Sequence, residues 1–427
     1  MVSGTAKYVR QDHRVSLGLL MFAFTLAGMM VLGGGRARAS HVDCGETITA
    51  DMTLDSDLIN CPAHGIVIGA DDITLDLNGH TVDGDGGEDD FGDFGIDNMD
   101  GHDGVTIEGG SIRQFGEGVE MDGARDNIVR DLATSHQLHA GIFVLGSSDV
   151  RIEKNSVFSN AAGIVLARVS HVRVEHNSVH GSEFGGIPVY ESDHVVVAKN
   201  FVSGSRESGI VFIDSDRNRI KRNHTTDNSV GVHLDDGSDH NLAKRNHTAG
   251  NEFAGVLVEH SNDNRVRKNQ ATRNNVGIFV SAGDRNVIAR NRSSRGLAGI
   301  AIEKGRGNLI ARNVVRRARG DGIYLGLRNP PIGGSHNVVR RNRVRGSGRN
   351  AFFVSEEERH SRLRRNVAMG AGDDGLDIES RTAKLTRNRA LRNGDLGIEA
   401  VRGVIDGGGN IARHNGDPRQ CTHISCG

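Results

Sequence analysis

Asparagine recurs along this chain at a nearly constant interval, and that period leaves few folds open. Aligned on Asn155, Asn177, Asn200, Asn223, Asn246, Asn269, Asn291, Asn313, Asn342, Asn366 and Asn388, the steps are 22, 23, 23, 23, 23, 22, 22, 29, 24 and 22 residues. The single long step carries the insertion Asn329-Pro330-Pro331-Ile332-Gly333-Gly334. A second column keeps phase with the first, from Gly141-Ile142 and Gly163-Ile164 through Gly277-Ile278 and Gly299-Ile300 to Gly397-Ile398. Fixed periods of this size mark solenoids or propellers. Leucine-rich repeats share the period but need several leucines per unit. Here the recurrent apolar residues are Val and Ile two positions apart, which is strand spacing. Each unit is therefore two or three short strands joined by turns, and successive units stack in parallel. With 58 Gly and only 5 Pro in 427 residues, the composition suits tight turns and excludes collagen and Pro-rich linkers.

The G-I-x-V … N-x-I-x-x-N pattern over residues 66–415 resembles the right-handed parallel β-helix repeat proteins. That superfamily includes pectin-acting lyases and hydrolases, alginate epimerases and a periplasmic copper-binding, NosD-like family. The resemblance implies an all-β fold: a single-stranded, right-handed parallel β-helix of about 14–15 coils, spaced ~4.8 Å apart and capped at both ends. The motif is specific for the scaffold, and one scaffold carries many activities. Inward residues such as Ile210 and Phe212, or Ile278 and Val280, should fill the bore. The Asn column should form amide ladders between coils and supply residues that tolerate left-handed turns. A second Asn set (Asn218, Asn241, Asn264, Asn286, Asn308, Asn337) reads the same way.

Residues 1–39 read as a secretory signal. Lys7, Arg10 and Arg14 precede an apolar run, and Ala37-Arg38-Ala39 offers a cleavage site; an uncleaved anchor is the alternative. The four cysteines sit in pairs at the two ends, which suits local disulfides in an oxidising compartment. Cys44–Cys61 would tie an N-terminal cap (residues 40–65), and Cys421–Cys426 a C-terminal tail (416–427). These features predict a secreted or periplasmic protein, with no stable membrane insertion after cleavage and a monomeric state.

Three constellations are candidates for function. In the strands of the form G-I-x-V, x points outward and is mostly apolar (Phe143, Val165, Pro188, Val211, Leu257, Phe279). Either a ligand or another chain segment covers such a stripe, or it is a shallow groove; the alternative is that flanking turns shelter it. Beside it, His233, Asp235, Asp236, Glu259 and His260, with Glu191 and Asp214, should converge over four coils. Crowded carboxylates raise each other's pKa or bind a cation, and His supplies proton transfer near neutral pH, so the first five are candidate catalytic residues. Calcium suits an oxygen-only subset, whereas copper or zinc would recruit the two histidines.

Second, Gly372-Asp373-Asp374-Gly375-Leu376-Asp377 looks like the D-D-G-x-D calcium segment of one β-helical pectate lyase family. The resemblance implies Asp373, Asp374 and Asp377 as cation ligands; no general base can be assigned. The D-P-H signature of the epimerases is absent. The acidic insertion Asp83–Asp93 reads either as a cation-binding loop or as a flexible one.

Third, charge is segregated. Residues 40–125 hold 21 acidic and 2 basic residues, whereas 261–420 hold 32 basic and 15 acidic. One cation precedes each ladder Asn: Lys199, Arg222, Arg245, Lys268, Arg290, Arg312, Arg341, Arg365 and Arg387. Unit charges ~4.8 Å apart repel by roughly 1 kcal/mol even in water. From Arg222 to Arg387 the column is a candidate polyanion site. For an exported protein a uronate polysaccharide fits better than nucleic acid. The alternative is a set of solubilising turn residues that discourage lateral aggregation.

The readings that follow are an exported β-helix binding an anionic polysaccharide or envelope polymer, a cation-dependent uronate lyase or hydrolase, and a NosD-like metal-handling protein.

Overall fold

The computed structural model describes residues 41–87 and 92–427. The expected signal segment, and residues 88–91 of the acidic insertion, lie outside them. Every coil contributes one strand to each of three parallel sheets, so like residues stand over like as the period requires. The first sheet runs from Glu46–Ile48 to Ile398–Ala400, the second from Met52–Thr53 to Ile405–Asp406, the third from Leu58–Cys61 to Ile411–Arg413. Each sheet has 16 strands. This exceeds the 14–15 coils expected from the repeat, because the segment Glu46–Cys61, outside the Asn register, already winds a coil of its own. Among the described residues no helix is long and apolar enough to cross a membrane.

The bore is filled by the inward residues of all three sheets. Ile210, Phe212, Ile278 and Val280 are fully buried in one continuous core. The invariant small position of the second column has a steric cause. A Cβ on Gly299 would lie 2.4 Å from the carbonyl oxygen of Gly322, and one on Gly163 2.2 Å from that of Gly186. The glycine column thus stacks backbone on backbone.

Both Asn columns are ladders. The Asn223 amide N–H donates to Asn246 Oδ1 (3.0 Å), and Asn223 Nδ2 donates to Val197 O (2.9 Å) and Asn246 Oδ1 (3.2 Å). Asn218, Asn241 and Asn264, in the corner between the first two sheets, repeat the backbone N–H bond to the next Oδ1 and the Nδ2 bond to a carbonyl of the coil before. A third ladder, which the sequence reading missed, runs through Asn228, Asn251 and Asn274 between the third sheet and the first.

The left-handed backbone, however, does not fall on the ladder asparagines. It falls on the residue before each one, from Lys199 to Arg387, with φ between 54° and 60°. The Asn amide must face inward to reach the next coil, so the preceding residue turns the corner and its side chain points out.

Disulfides join Cys44 to Cys61 and Cys421 to Cys426. The latter sits on the last coil through the bridges Ile398–Cys421 and Asn410–Cys426. The Asn329–Gly334 insertion forms a small antiparallel hairpin, Leu327–Arg328 against Pro331–Ile332. The buried Glu358 carboxylate anchors its far end, accepting from Gly334 N (2.6 Å) and Asn337 Nδ2 (2.8 Å).

Candidate functional sites on two sides of the coil

Strand Val230–Asp235 carries His233 and Asp235 outward, and the next coil's Ala254–Glu259 carries Glu259. His233 Nε2 lies 3.7 Å from Asp235 Oδ2 and 3.8 Å from Glu259 Oε2. These are ion-pair separations, too long for hydrogen bonds, and Nε2 is buried without a hydrogen-bond partner among the described residues. His260 Nδ1 is 3.7 Å from Asp236 and 4.0 Å from Asp235. The five predicted residues therefore form two groups that share Asp235, and each group is compact enough to hold a cation. Glu191 and Asp214 occupy the same left-handed turn column as Asp236 and His260, but among the described residues no ion pair joins them to the cluster.

The environment splits the carboxylates into two kinds. Burial raises Asp235 and, one coil earlier, Glu207. The adjacent His233 ring holds Glu259 low. One set favours its proton and the other its charge, which is the division of labour that acid–base chemistry needs.

At the C-terminal end the expected trio is divided. Asp374 is shared between two groups, Asp373–Asp374–Asp395 and Asp374–Asp377–Glu399. Asp377 Oδ2 accepts from Asn350 Nδ2 (3.0 Å) and from Arg328 of the hairpin, whose Nε also donates to Glu379 (3.0 Å). The guanidinium sits 4.4 Å over the Phe353 ring. The three expected ligands thus do not form a single group; both groups offer oxygen donors only, of the kind calcium takes, and in the second Asp377 is already engaged by Arg328 and Asn350. Sequence reasoning missed Arg328, because its partner Asp377 lies 49 residues away.

Burial pushes Asp374 up to about 8 and Asp377 to about 7. Glu120 rises to about 10, from burial and from the neighbouring Glu117, Asp122 and Asp97. The sequence reading passed over Glu120 because its outward column began one coil later; Gly118-Val119-Glu120 follows the same frame. A carboxyl with a raised folded-state pKa binds protons that the unfolded chain has released near pH 4. Its stabilisation is full below the unfolded value and is lost as pH rises through the folded one. Thermal unfolding should therefore occur at a lower temperature at pH 9 than at pH 5. Substituting Glu120→Gln with Asp377→Asn should shrink the difference, and a midpoint that climbs across this interval would contradict the assignment.

The apolar outward stripe is sheltered. Val165, Val211, Leu257 and Phe353 are buried on the outside of the first sheet, and Phe253 from the preceding turn packs edge-on against Phe279, 5.8 Å between centroids.

The basic column lies elsewhere, on the corner between the second and third sheets, opposite the first. Arg222, Arg245, Lys268, Arg290, Arg312, Arg341 and Arg387 are exposed and Arg365 is half-exposed. Arg245, with Lys244, Arg290 and Arg267, depresses the Lys268 pKa, and Arg364, with Arg341 and Arg387, depresses that of Arg365. The site is thus wider than the column, since the strand residues Lys244, Arg267 and Arg364 stand beside it. Among the described residues no ion pair neutralises any of the eight predicted cations.

Comparison with known proteins gives a consistent architecture. Residues 94–253 match the family described as periplasmic copper-binding protein (NosD), and residues 208–332 the family described as right handed beta helix region. No curated protein matches the sequence. The A-module of the mannuronan C-5 epimerase AlgE6 of Azotobacter vinelandii is similar over 80% of this chain and 91% of its own, at 14% identity and a TM-score of 0.53. The pre-mature gene product 12 of bacteriophage phi29 is similar over 90% of this chain and 52% of its own, at 10% identity and a TM-score of 0.50. At such identities the likeness is one of fold.

Proposed function

Since the chain winds into a parallel β-helix and residues 208–332 match the family described as right handed beta helix region, we propose that it is an extracytoplasmic protein that binds an anionic polysaccharide along one edge of its rod. The observation that carries this reading is the unneutralised cation column, one charge per coil, whose crowding depresses the pKa values of Lys268 and Arg365. A polyanion relieves that repulsion, and an extended uronate chain can follow a straight column. The two disulfides and the periplasmic description of the NosD family support export, with residues 1–39 as the signal, 40–65 and 416–427 closing the two ends of the 66–415 rod, and a monomer as the working state.

The test is titration with polygalacturonate and alginate at rising salt. Affinity should fall with salt, and neutral glycans should not bind. Each cation facing an anionic surface contributes about 1 kcal/mol. The triple substitution Arg245→Ser, Lys268→Ser, Arg290→Ser should therefore weaken binding about a hundredfold. Salt-insensitive binding, or a triple variant that binds like the parent, would exclude the reading.

A second reading, a carbohydrate-active enzyme, is favoured by one observation: His233, Asp235 and Glu259 converge, and the proton affinities of the two carboxylates are driven apart. In its cation-dependent form, calcium would be held by Asp373, Asp374 and Asp395. Unsaturated-product absorbance and new reducing ends, measured on the same polymers, separate lyase, hydrolase and simple binding.

A further inference from the structure

Asp235 divides its two oxygens between two histidines. Oδ2 lies 3.7 Å from His233 Nε2, and Oδ1 lies 4.0 Å from His260 Nδ1. A third donor completes each side: Glu259 Oε2, 3.8 Å from His233 Nε2, and Asp236 Oδ1, 3.7 Å from His260 Nδ1. Within each trio the ligand atoms lie within 4.8 Å of one another. Donors so spaced surround a centre roughly 2.2 Å from each, which is the length of a Zn–N or Zn–O bond.

His233 is set to face such a centre. Ser208 Oγ stands 3.4 Å from its Nδ1. A proton shared on that side leaves the Nε2 lone pair turned toward Asp235 and Glu259. Nε2 is buried, and among the described residues it has no hydrogen-bond partner. An N–H there would close on one carboxylate to hydrogen-bond distance, whereas both stand off almost equally, at 3.7 and 3.8 Å. The Asp235 carboxylate is itself steadied, since Oδ1 accepts from the Asp236 backbone N–H (2.9 Å) and keeps a second lone pair for a ligand bond.

We propose that these five residues form a two-zinc site: one ion between His233, Asp235 and Glu259, a second between His260, Asp235 and Asp236, with the Asp235 carboxylate bridging them. One imidazole and two carboxylates per ion suit zinc, whereas calcium takes about six to eight oxygens. Three protein ligands leave each ion an open position for water. The site does not rest on the polyanion reading, because the cation column runs along a different side of the coil. It casts the His233 trio of the second reading as ligands, and its test needs no sugar.

The purified chain, stripped with chelator and dialysed, is titrated with zinc against a chromophoric chelator, and bound metal is counted by mass spectrometry. The parent should hold two zinc ions that a large excess of calcium does not displace. X-ray absorption at the zinc edge should show a metal–metal distance of about 3.5–4 Å. His233→Ala and His260→Ala should each hold one ion, and Asp235→Ala neither, with circular dichroism unchanged. If Asp235→Ala fails to fold, His260→Ala decides, since that side chain is 58% exposed. The control is His224→Ala with His247→Ala, a ring pair 4.5 Å apart on the third sheet, which should still hold two. A parent with one zinc or none, displacement by calcium, two ions retained by Asp235→Ala or His260→Ala, or zinc lost from the control would each overturn the proposal.

Discussion

Replacing Asn223 by alanine is expected to lower the unfolding free energy by about 3 kcal/mol, although the side chain touches no candidate site. Four hydrogen bonds vanish. Asn223 Oδ1 no longer accepts from the Asn200 amide N–H (3.0 Å) and from Asn200 Nδ2 (3.2 Å). Asn223 Nδ2 no longer donates to Val197 O (2.9 Å) and Asn246 Oδ1 (3.2 Å). The Asn200 side chain keeps its bond to Val174 O (2.8 Å), but its backbone N–H is left buried without an acceptor. That orphaned group is the largest part of the cost, since burying an unpaired amide forfeits its hydration. Because each coil contacts only its neighbours, the damage is local. Hydrogen exchange should speed up at Asn200 and the adjoining coils, while the rod's ends keep their protection. A urea midpoint equal to the parent's would mean that the ladder contributes nothing net.

The alanine variant of Gly299 should be at least as damaging, at about 3 kcal/mol. The new methyl would lie 2.3 Å from Val315 Cγ1 and 2.4 Å from Gly322 O. Val315 Cγ2 lies 2.7 Å from that methyl as well, so turning the valine about χ1 still leaves a methyl against the new Cβ. The carbonyl cannot move, because it accepts from both Gly299 N and Ile300 N, at 3.0 and 3.1 Å. Adding Val315→Ala should therefore recover only part of the loss. Gly185 is the control: a Cβ there meets nothing closer than 3.4 Å, on Pro188, so Gly185→Ala should leave the midpoint within about 0.5 kcal/mol of the parent. If both glycine variants behaved alike, close coil stacking would not be the reason for the column.

These two substitutions also mark how far the chain can be read without coordinates. In a solenoid, a residue's axial neighbour is the one a period away in sequence. Columns of Asn, Gly and cations are therefore contacts written in plain view, and so is the convergence of His233, Asp235 and Glu259. One reading that failed concerned a direction within a corner. The left-handed turn was assigned to the Asn, whereas the cation before it takes that backbone, because only an inward-facing amide can bridge coils.

What the periodicity left undetermined lies across the columns rather than along them. Nothing local marks Arg328 as the partner of Asp377, because a hairpin that breaks the period folds back over the next two coils. Nor does composition tell that Glu120 is enclosed and unpaired while Glu259 keeps its charge, since desolvation depends on what overhangs each side chain. The placement of the cations opposite the carboxylate-lined face likewise follows from how three strands per turn close a triangle. The repeat thus specified the stacking through short, additive neighbour contacts. Charge state, burial and the sidedness of the two faces emerged only when the coil closed, because they depend on groups brought together around its circumference.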